Sequence, residues 1–259
     1  MSYCRWSAFG ESGDKMKCLI LAAGYATRLY PLTENYPKPL LPIRGKSIID
    51  WLLDDLQLSK EISEFVLVSN HKYVRHFEDW AKDKPYKITI IDDGTETNET
   101  RLGAVRDIQY AIGKMDIDDD LLVIAGDNVL DFSLIEFIAY CKNKKTACVM
   151  RYYESNVEKL KKAGVLSVDD NDIVIEMVEK PSNPATHWCC PPFYFYPKED
   201  LPFIEIGINE GCSTDAPGSF VAWLYRRRRV HAMLMPGKRY DIGDLESYEA
   251  VQREYGGIK

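Results

Sequence analysis

Between residues 17 and 153 short apolar runs alternate with amphipathic stretches, and that alternation leaves few architectures open to the chain. Residues 17–22, KCLILA, form a continuous apolar run bounded by Gly24, the pattern of a strand covered on both faces. Ser47 stands where it can cap a helix over residues 48–58, in which Ile48, Trp51, Leu52 and Leu56 recur at helical spacing. Further strand signals fall at 64–69, 86–91, 121–127 and 146–153, separated by helical ones at 73–82, 101–112 and 133–143. In the second of these helices Leu102, Val105, Ile108 and Ala111 share one side. Strand, helix and strand in repetition predict a parallel sheet with helices on both faces.

The second half reads differently. Residues 164–168 and 172–181, split by the turn-rich DDND, predict a hairpin, and 191–197 and 230–235 add short strands before a terminal helix at 245–255. The expected fold is therefore α/β: a Rossmann-like, mixed but mainly parallel central sheet flanked by helices on both faces, with a small antiparallel annex. Residues 16–259 carry no repeat and no long linker, which predicts one domain. Residues 1–15 are polar and aperiodic and are expected to be a disordered extension.

Composition narrows the functional classes. A net charge of −7 argues against a broad nucleic-acid surface, so any anion has to be met by a local cluster. No apolar run approaches a membrane span and no leader pattern appears, so no membrane association and a cytoplasmic location are expected. The seven cysteines are scattered without a C-x-x-C, and the four histidines lack paired metal-ligand spacing, so neither a disulfide framework nor zinc is expected. The run Arg226, Arg227, Arg228, Arg229 leads into apolar alternation and reads as a solvated lead-in to a strand or as a subunit contact; together with the many aromatic residues it leaves room for a homo-oligomer.

The informative stretch is residues 19–43, LILAAGYATRLYPLTENYPKPLLPI. In doubly wound sheets ligands sit beyond the carboxyl ends of strands, and the loop after the first strand is the usual phosphate site. Ala22, Ala23 and Gly24 would let phosphates approach backbone N–H groups, while Arg28 supplies a forked permanent charge. Lys38 lies between Pro37 and Pro39 and is expected in an extended segment that cannot become helical. Ala26 must keep φ below zero or accept strain. Neither G-x-G-x-x-G nor G-x-x-x-x-G-K-[ST] is present, and a plain strand-to-helix turn with incidental surface cations would share the spacing.

This stretch resembles the nucleotide-binding signature of the sugar-phosphate nucleotidyltransferases, the glucose-1-phosphate thymidylyl- and uridylyltransferase group. The likeness continues in order through AGDNV, VEKP and RYDIGD, ending near Val251. It implies a metal-holding pair in Asp127 and Asp241, with Mg2+ as cofactor. Lys180 would contact the phosphate of the sugar phosphate, and Glu179 and Gly126 would line the sugar side. Leu21, Ala22, Ala23 and Gly24 would bind the nucleotide, Gly103 would contact the base through its backbone, and Asn98 would stand near the base-reading position. Arg28, Lys38 and Lys180 would be the catalytic cations.

The reaction so implied joins a nucleoside triphosphate to a sugar-1-phosphate and releases pyrophosphate. A phosphomonoester is already an anion near neutrality, since its second pKa is about 6, so no general base is needed. Two unit anions about 4 Å apart repel by roughly 4 kcal/mol at an effective dielectric near 20, and cations have to cancel that repulsion. Two rival readings keep the same residues: transfer to a non-sugar phosphate, and a silent nucleotide-sugar-binding subunit or sensor. The base-reading segment fits neither the thymidylyl nor the guanylyl pattern closely, which leaves the nucleotide open.

Overall fold

The computed structural model describes residues 15–259. The expected disordered extension therefore lies outside the described residues except for its last residue, Lys15. In chain order the first half contains β1 (Met16–Leu21), the short β2 (Pro42–Ile43) and β3 (Lys46–Ser47), α1 (Ile48–Leu56), β4 (Ile62–Ser69), α2 (Val74–Ala81), β5 (Ile88–Asp92), α3 (Ala104–Met115), β6 (Asp120–Ala125), β7 (Asn128–Leu130), α4 (Ile135–Lys144) and β8 (Ala147–Tyr153). The second half adds α5 (Val157–Leu160), β9 (Gly164–Val168), β10 (Val174–Glu179), β11 (Trp188–Cys190), β12 (Phe193–Tyr196), α6 (Pro202–Asn209), α7 (Gly218–Leu224), β13 (Val230–Leu234), β14 (Arg239–Asp241) and α8 (Leu245–Glu254).

One ten-stranded sheet runs β10-β9-β11-β8-β12-β6-β1-β4-β5, with β13 paired to β8. β1 is parallel to both β4 and β6, and β5 is parallel to β4. β12 lies antiparallel between β6 and β8, so those two strands share a direction without touching. The expected hairpin is β9 with β10, which extends the main sheet through β11 instead of standing apart from it.

The parity of β1 distributes the core. Cys18 and Ile20 face Leu52 and Leu53 of α1, Phe77 of α2 and Phe137 of α4, whereas Leu19 faces Val105 and Ile108 of α3, Ile204 of α6 and Phe220 of α7. Each such fully buried side chain stabilises the fold by roughly 1.5–3 kcal/mol. A third cluster joins Leu29, Ile43, Val129, Ile242, Val251 and Tyr255, packing α8 over the loop after β1. Within it the Tyr255 hydroxyl donates to the Leu130 carbonyl at 2.8 Å, which ties the C-terminal region to β7.

Ser47 caps α1 as its chemistry predicts, its Oγ accepting from the Asp50 N–H at 3.3 Å. Lys38 departs from expectation: Lys38–Leu40 forms a single 3-10 turn after an extended Pro37. Pro39 permits this because the first turn of a helix needs no donor from its N–H. The arginine run behaves as a strand lead-in held by neighbours, with Arg227 3.9 Å over the Trp223 ring and Arg228 2.5 Å from Asp200. Among the described residues no helix is long and apolar enough to cross a membrane.

Candidate active site

From β1 the sheet extends to β4 on one side and β6 on the other, so the strand order reverses there and a crevice opens at the carboxyl ends. The Gly126 N–H donates to the Leu21 carbonyl at 3.1 Å, closing the bottom of that crevice. A Cβ on Gly126 would stand 3.1 Å from Ile20 Cγ2, a tight contact, and 3.5 Å from Pro39 Cγ, an ordinary one, so the glycine fits closely over Ile20 with the Lys38 turn beside it. Ala22 and Ala23 are buried, with the Ala22 N–H given to Val68 and the Ala23 carbonyl taken by Asn70 Nδ2 at 2.9 Å. Over Gly24 the space is open: nothing lies within 4 Å of a Cβ placed there.

Of the two alternatives at Ala26 the structure takes the strained one, φ 46°, a left-handed conformation that costs an L-residue roughly 1–2 kcal/mol. Thr33 Oγ1 and the Leu29 N–H hold it by donating to the Ala26 carbonyl at 2.8 and 2.9 Å. The 3-10 turn Thr27–Leu29 that follows presents an exposed Arg28, whose Nη1 reaches to 3.8 Å from the Cβ position of Gly243, two residues past Asp241. The first-strand loop and the late RYDIGD segment therefore meet.

Lys38 and Asp127 form an ion pair of 2.7 Å, with the lysine side chain only 9% exposed and the aspartate 39%. Burial pushes the Asp127 carboxyl upward, but Lys38 and then Arg239 outweigh it and hold it below the usual carboxylate range. Its other oxygen accepts from Asn128 Nδ2 at 2.7 Å, and Asn128 Oδ1 accepts from Arg239 Nη1 at 2.6 Å. β14 pairs antiparallel with β7 so that Asp241 is opposite Asn128, which sets the Asp241 backbone beside that of Asp127. Arg239 Nη1 is 3.5 Å from the Asp241 carboxylate, so one guanidinium serves both acidic residues.

A second cluster forms where β10 ends. The Glu179 carboxylate fills a slot that exists because residues 164 and 218 are glycines: a Cβ would fall 2.9 Å from its Oε2 at the first and 2.1 Å at the second. Burial pushes the Glu179 carboxyl up to about 7, against the pull of Lys180 and with Asp215 adding to it. Lys180 itself sits at φ 48°, its N–H on the Ala163 carbonyl at 3.0 Å and its Nζ on Asp215 at 3.1 Å. Asp215 also binds Arg101 at 2.9 Å, and Arg101 donates to the Asn98 carbonyl at 2.8 Å. Gly103 needs its φ of 90° and its missing side chain, because a Cβ would lie 2.5 Å from the Thr214 carbonyl oxygen. Arg239 Nη2 donates to the Tyr152 hydroxyl at 3.3 Å, Tyr152 is the ladder partner of Cys189, and Glu179 packs at Gly164, the ladder partner of Cys190, so both clusters border β11.

The structure thus brings Lys38, Gly126 and Asp127 together beside Leu21, sets Asp241 opposite the next residue, Asn128, places Arg28 against Gly243, leaves the loop of Ala22, Ala23 and Gly24 open only over Gly24, and gathers Asn98, Gly103, Glu179 and Lys180 around Asp215. Sequence reasoning passed over Arg239, Arg101 and Asp215. Arg239 opens the same RYDIGD segment and Arg101 lies between Asn98 and Gly103, so both stand within stretches the sequence had already marked. Asp215 sits in a polar loop and gave no periodic or spacing signal.

The family model for nucleotidyl transferases matches residues 17–256. The chain belongs to that family. Among the nucleotidyl transferases it is 33% identical over 230 residues to the bifunctional protein GlmU of Methanocaldococcus jannaschii, covering 88% of this chain and 51% of that one. It spans about half the length of such bifunctional relatives. It is 25% identical to the UTP–glucose-1-phosphate uridylyltransferase AglF of Haloferax volcanii, with 92% of this chain and 96% of that protein covered. The fold is shared with a UDP-glucose pyrophosphorylase solved with UDP-glucose, at a TM-score of 0.79, 19% identity and coverage of 93% and 98%.

Proposed function

We propose that this nucleotidyl transferase is a sugar-1-phosphate nucleotidyltransferase, with the nucleoside triphosphate over the loop after β1 and the sugar phosphate at Glu179 and Lys180. The observation that carries this reading is the placement of an ionised Asp127, paired with a nearly buried Lys38, beside Asp241 at the point where strand order reverses. AglF and the UDP-glucose pyrophosphorylase are similar over almost their whole length and are named for UTP or UDP-glucose, so UTP with glucose 1-phosphate is the first pair to assay.

In this reading a phosphate oxygen of the acceptor attacks the α-phosphorus, a new P–O bond forms, and the bond from that phosphorus to the bridging oxygen of the β-phosphate breaks in line. Pyrophosphate carries away the electron pair. Arg28, exposed at the rim, would meet the β- and γ-phosphates, while Lys38 would exchange Asp127 for the triphosphate. Lys180 would hold the attacking phosphate, and the Glu179 carboxyl would bind sugar hydroxyls, as acceptor when ionised and as donor when protonated. The phosphomonoester ionises by itself, so no residue has to remove its proton.

The residues present fit magnesium. Asp127 is held ionised, Asp241 is the ladder partner of Asn128, the residue that follows Asp127, and among the described residues no cluster of three or more acidic, histidine or cysteine ligands is assembled, so phosphate oxygens and water would complete the shell. Bound there, the ion would neutralise charge on the phosphates of both substrates. The test is a matrix of five nucleoside triphosphates against several phosphate acceptors, sugar and non-sugar, scored by pyrophosphate formation with Mg2+. Turnover confined to sugar-1-phosphates supports the reading. Turnover only with a non-sugar phosphate, or nucleotide-sugar binding without any pyrophosphate, would overturn it.

A further inference from the structure

The Asp215 carboxylate divides its two oxygens between two cations: Oδ1 accepts from Arg101 Nη2 at 2.9 Å and Oδ2 from Lys180 Nζ at 3.1 Å. Its backbone is fixed separately. The Thr214 and Asp215 carbonyls accept from the Val105 and Ala104 N–H groups at 3.1 and 3.2 Å, which satisfies donors that the first turn of α3 would otherwise leave unpaired. Arg101 in turn donates Nη1 to the Asn98 carbonyl at 2.8 Å. A continuous line of contacts runs from Lys180 through Asp215 and Arg101 to Asn98.

Because α3 and Gly103 already lock the loop's main chain, the fold has little need of these side-chain bonds. Lys180 and Asp215 are 49% and 50% exposed, and pairs that wet contribute modestly to stability. What they do is share one negative charge between two cations. An acceptor phosphate arriving at Lys180 competes with Asp215 for that ammonium, and the carboxylate's charge then falls more fully on Arg101. Arg101, better held, steadies the loop at Asn98 and Gly103.

We propose that Asp215 is a positioning residue that couples the two substrates, so that acceptor phosphate at Lys180 favours nucleotide at the 98–103 loop. The converse follows, because a coupling between binding equilibria is reciprocal. The inference rests on the nucleotidyltransferase reading above.

The test is titration calorimetry with glucose 1-phosphate and the α,β-methylene analogue of UTP, or of whichever triphosphate the activity matrix selects. The quantity read is the ratio of the nucleotide Kd without acceptor to that with saturating acceptor. Asp215→Asn and Arg101→Gln should each lower this ratio, by up to about fivefold, the scale of a half-exposed ion pair. The double variant should lower it no further than either single one. Should Asp215→Asn fail to fold, Arg101→Gln carries the test alone, since Arg101 is exposed. A ratio unchanged in the single variants, two single effects that multiply in the double, or weakened affinities for both ligands at an unchanged ratio would each overturn the coupling. A wild-type protein that releases pyrophosphate while its variants keep the ratio removes this inference alone; a wild type that binds neither ligand removes the function reading as well.

Discussion

The proposed nucleotide side and the proposed acceptor side of the crevice each set a lysine on a carboxylate, in opposite surroundings. Lys38 is 9% exposed, on a one-turn helix wedged between prolines and closed from below by Gly126, and its partner Asp127 is tied through Asn128 to Arg239. Lys180 is 49% exposed, at the end of the antiparallel extension, on a partner that is itself half-exposed. Charges in a drier setting interact more strongly and are screened less by salt. On the proposed function the parallel half would therefore offer a rigid, strongly electrostatic seat for the triphosphate, and the antiparallel half a softer one, adjustable to the acceptor.

If that contrast holds, the largest effect belongs to the rigid side. Asp127→Asn should lower turnover by about 100-fold or more while far-UV circular dichroism and melting stay close to wild type; near-normal turnover in a folded variant would remove the metal assignment and most of the contrast. The softer side should respond in affinity. Lys180→Ala is expected to raise the acceptor KM roughly tenfold or more and the nucleotide KM far less, so equal changes in steady-state kinetics would erase the distinction between the two lysines.

How much of this was readable beforehand follows the range of the interactions. The buried run of β1, the Ser47 cap and the β9–β10 hairpin are set by neighbours in sequence, and all three occur where local chemistry places them. β12 could be read as a strand, yet its position between β6 and β8 depends on Tyr194 and Phe195 finding partners on distant strands. The same holds in the site. Lysines and aspartates within motifs could be named, whereas Asp215 meets Arg101 and Lys180 on a loop that docks on α3. At Ala26 local rules left two conformations open and the chain takes the strained one, held by Leu29 and Thr33, whereas at Lys38 they pointed to an extended segment and the chain makes a helical turn.

Smaller effects sharpen the picture of the support beneath the nucleotide side. Asp107 lies in the first turn of α3 with Oδ1 buried and unpartnered among the described residues, and burial, with Asp93 adding, pushes its carboxyl up to about 7. A carboxyl whose folded pKa is raised binds its proton more tightly in the native state. Stability from this group is therefore full below its unfolded value and is lost as pH rises from about 4 toward 7. Asp107→Asn should remove that slope and raise unfolding free energy at pH 8 by about 1–3 kcal/mol, read from denaturant titrations at several pH values; an unchanged slope would assign the pH dependence elsewhere. Least of all, Ala26→Gly should relieve the left-handed strain and raise stability by at most about 1 kcal/mol, since glycine's greater unfolded-state entropy offsets part of the gain. A lower melting temperature for Ala26→Gly would show that the alanine methyl group contributes packing that outweighs its strain.

The most direct measurement follows the oxygen atoms. Glucose 1-phosphate carrying 18O at the three non-bridging positions of its phosphate, incubated with UTP, Mg2+ and the protein, should yield a UDP-sugar that retains all three labels and pyrophosphate that contains none, as read by 31P NMR and mass spectrometry. Label in the pyrophosphate, or no conversion with any triphosphate in the same experiment, would contradict attack by the acceptor phosphate on the α-phosphorus at this site.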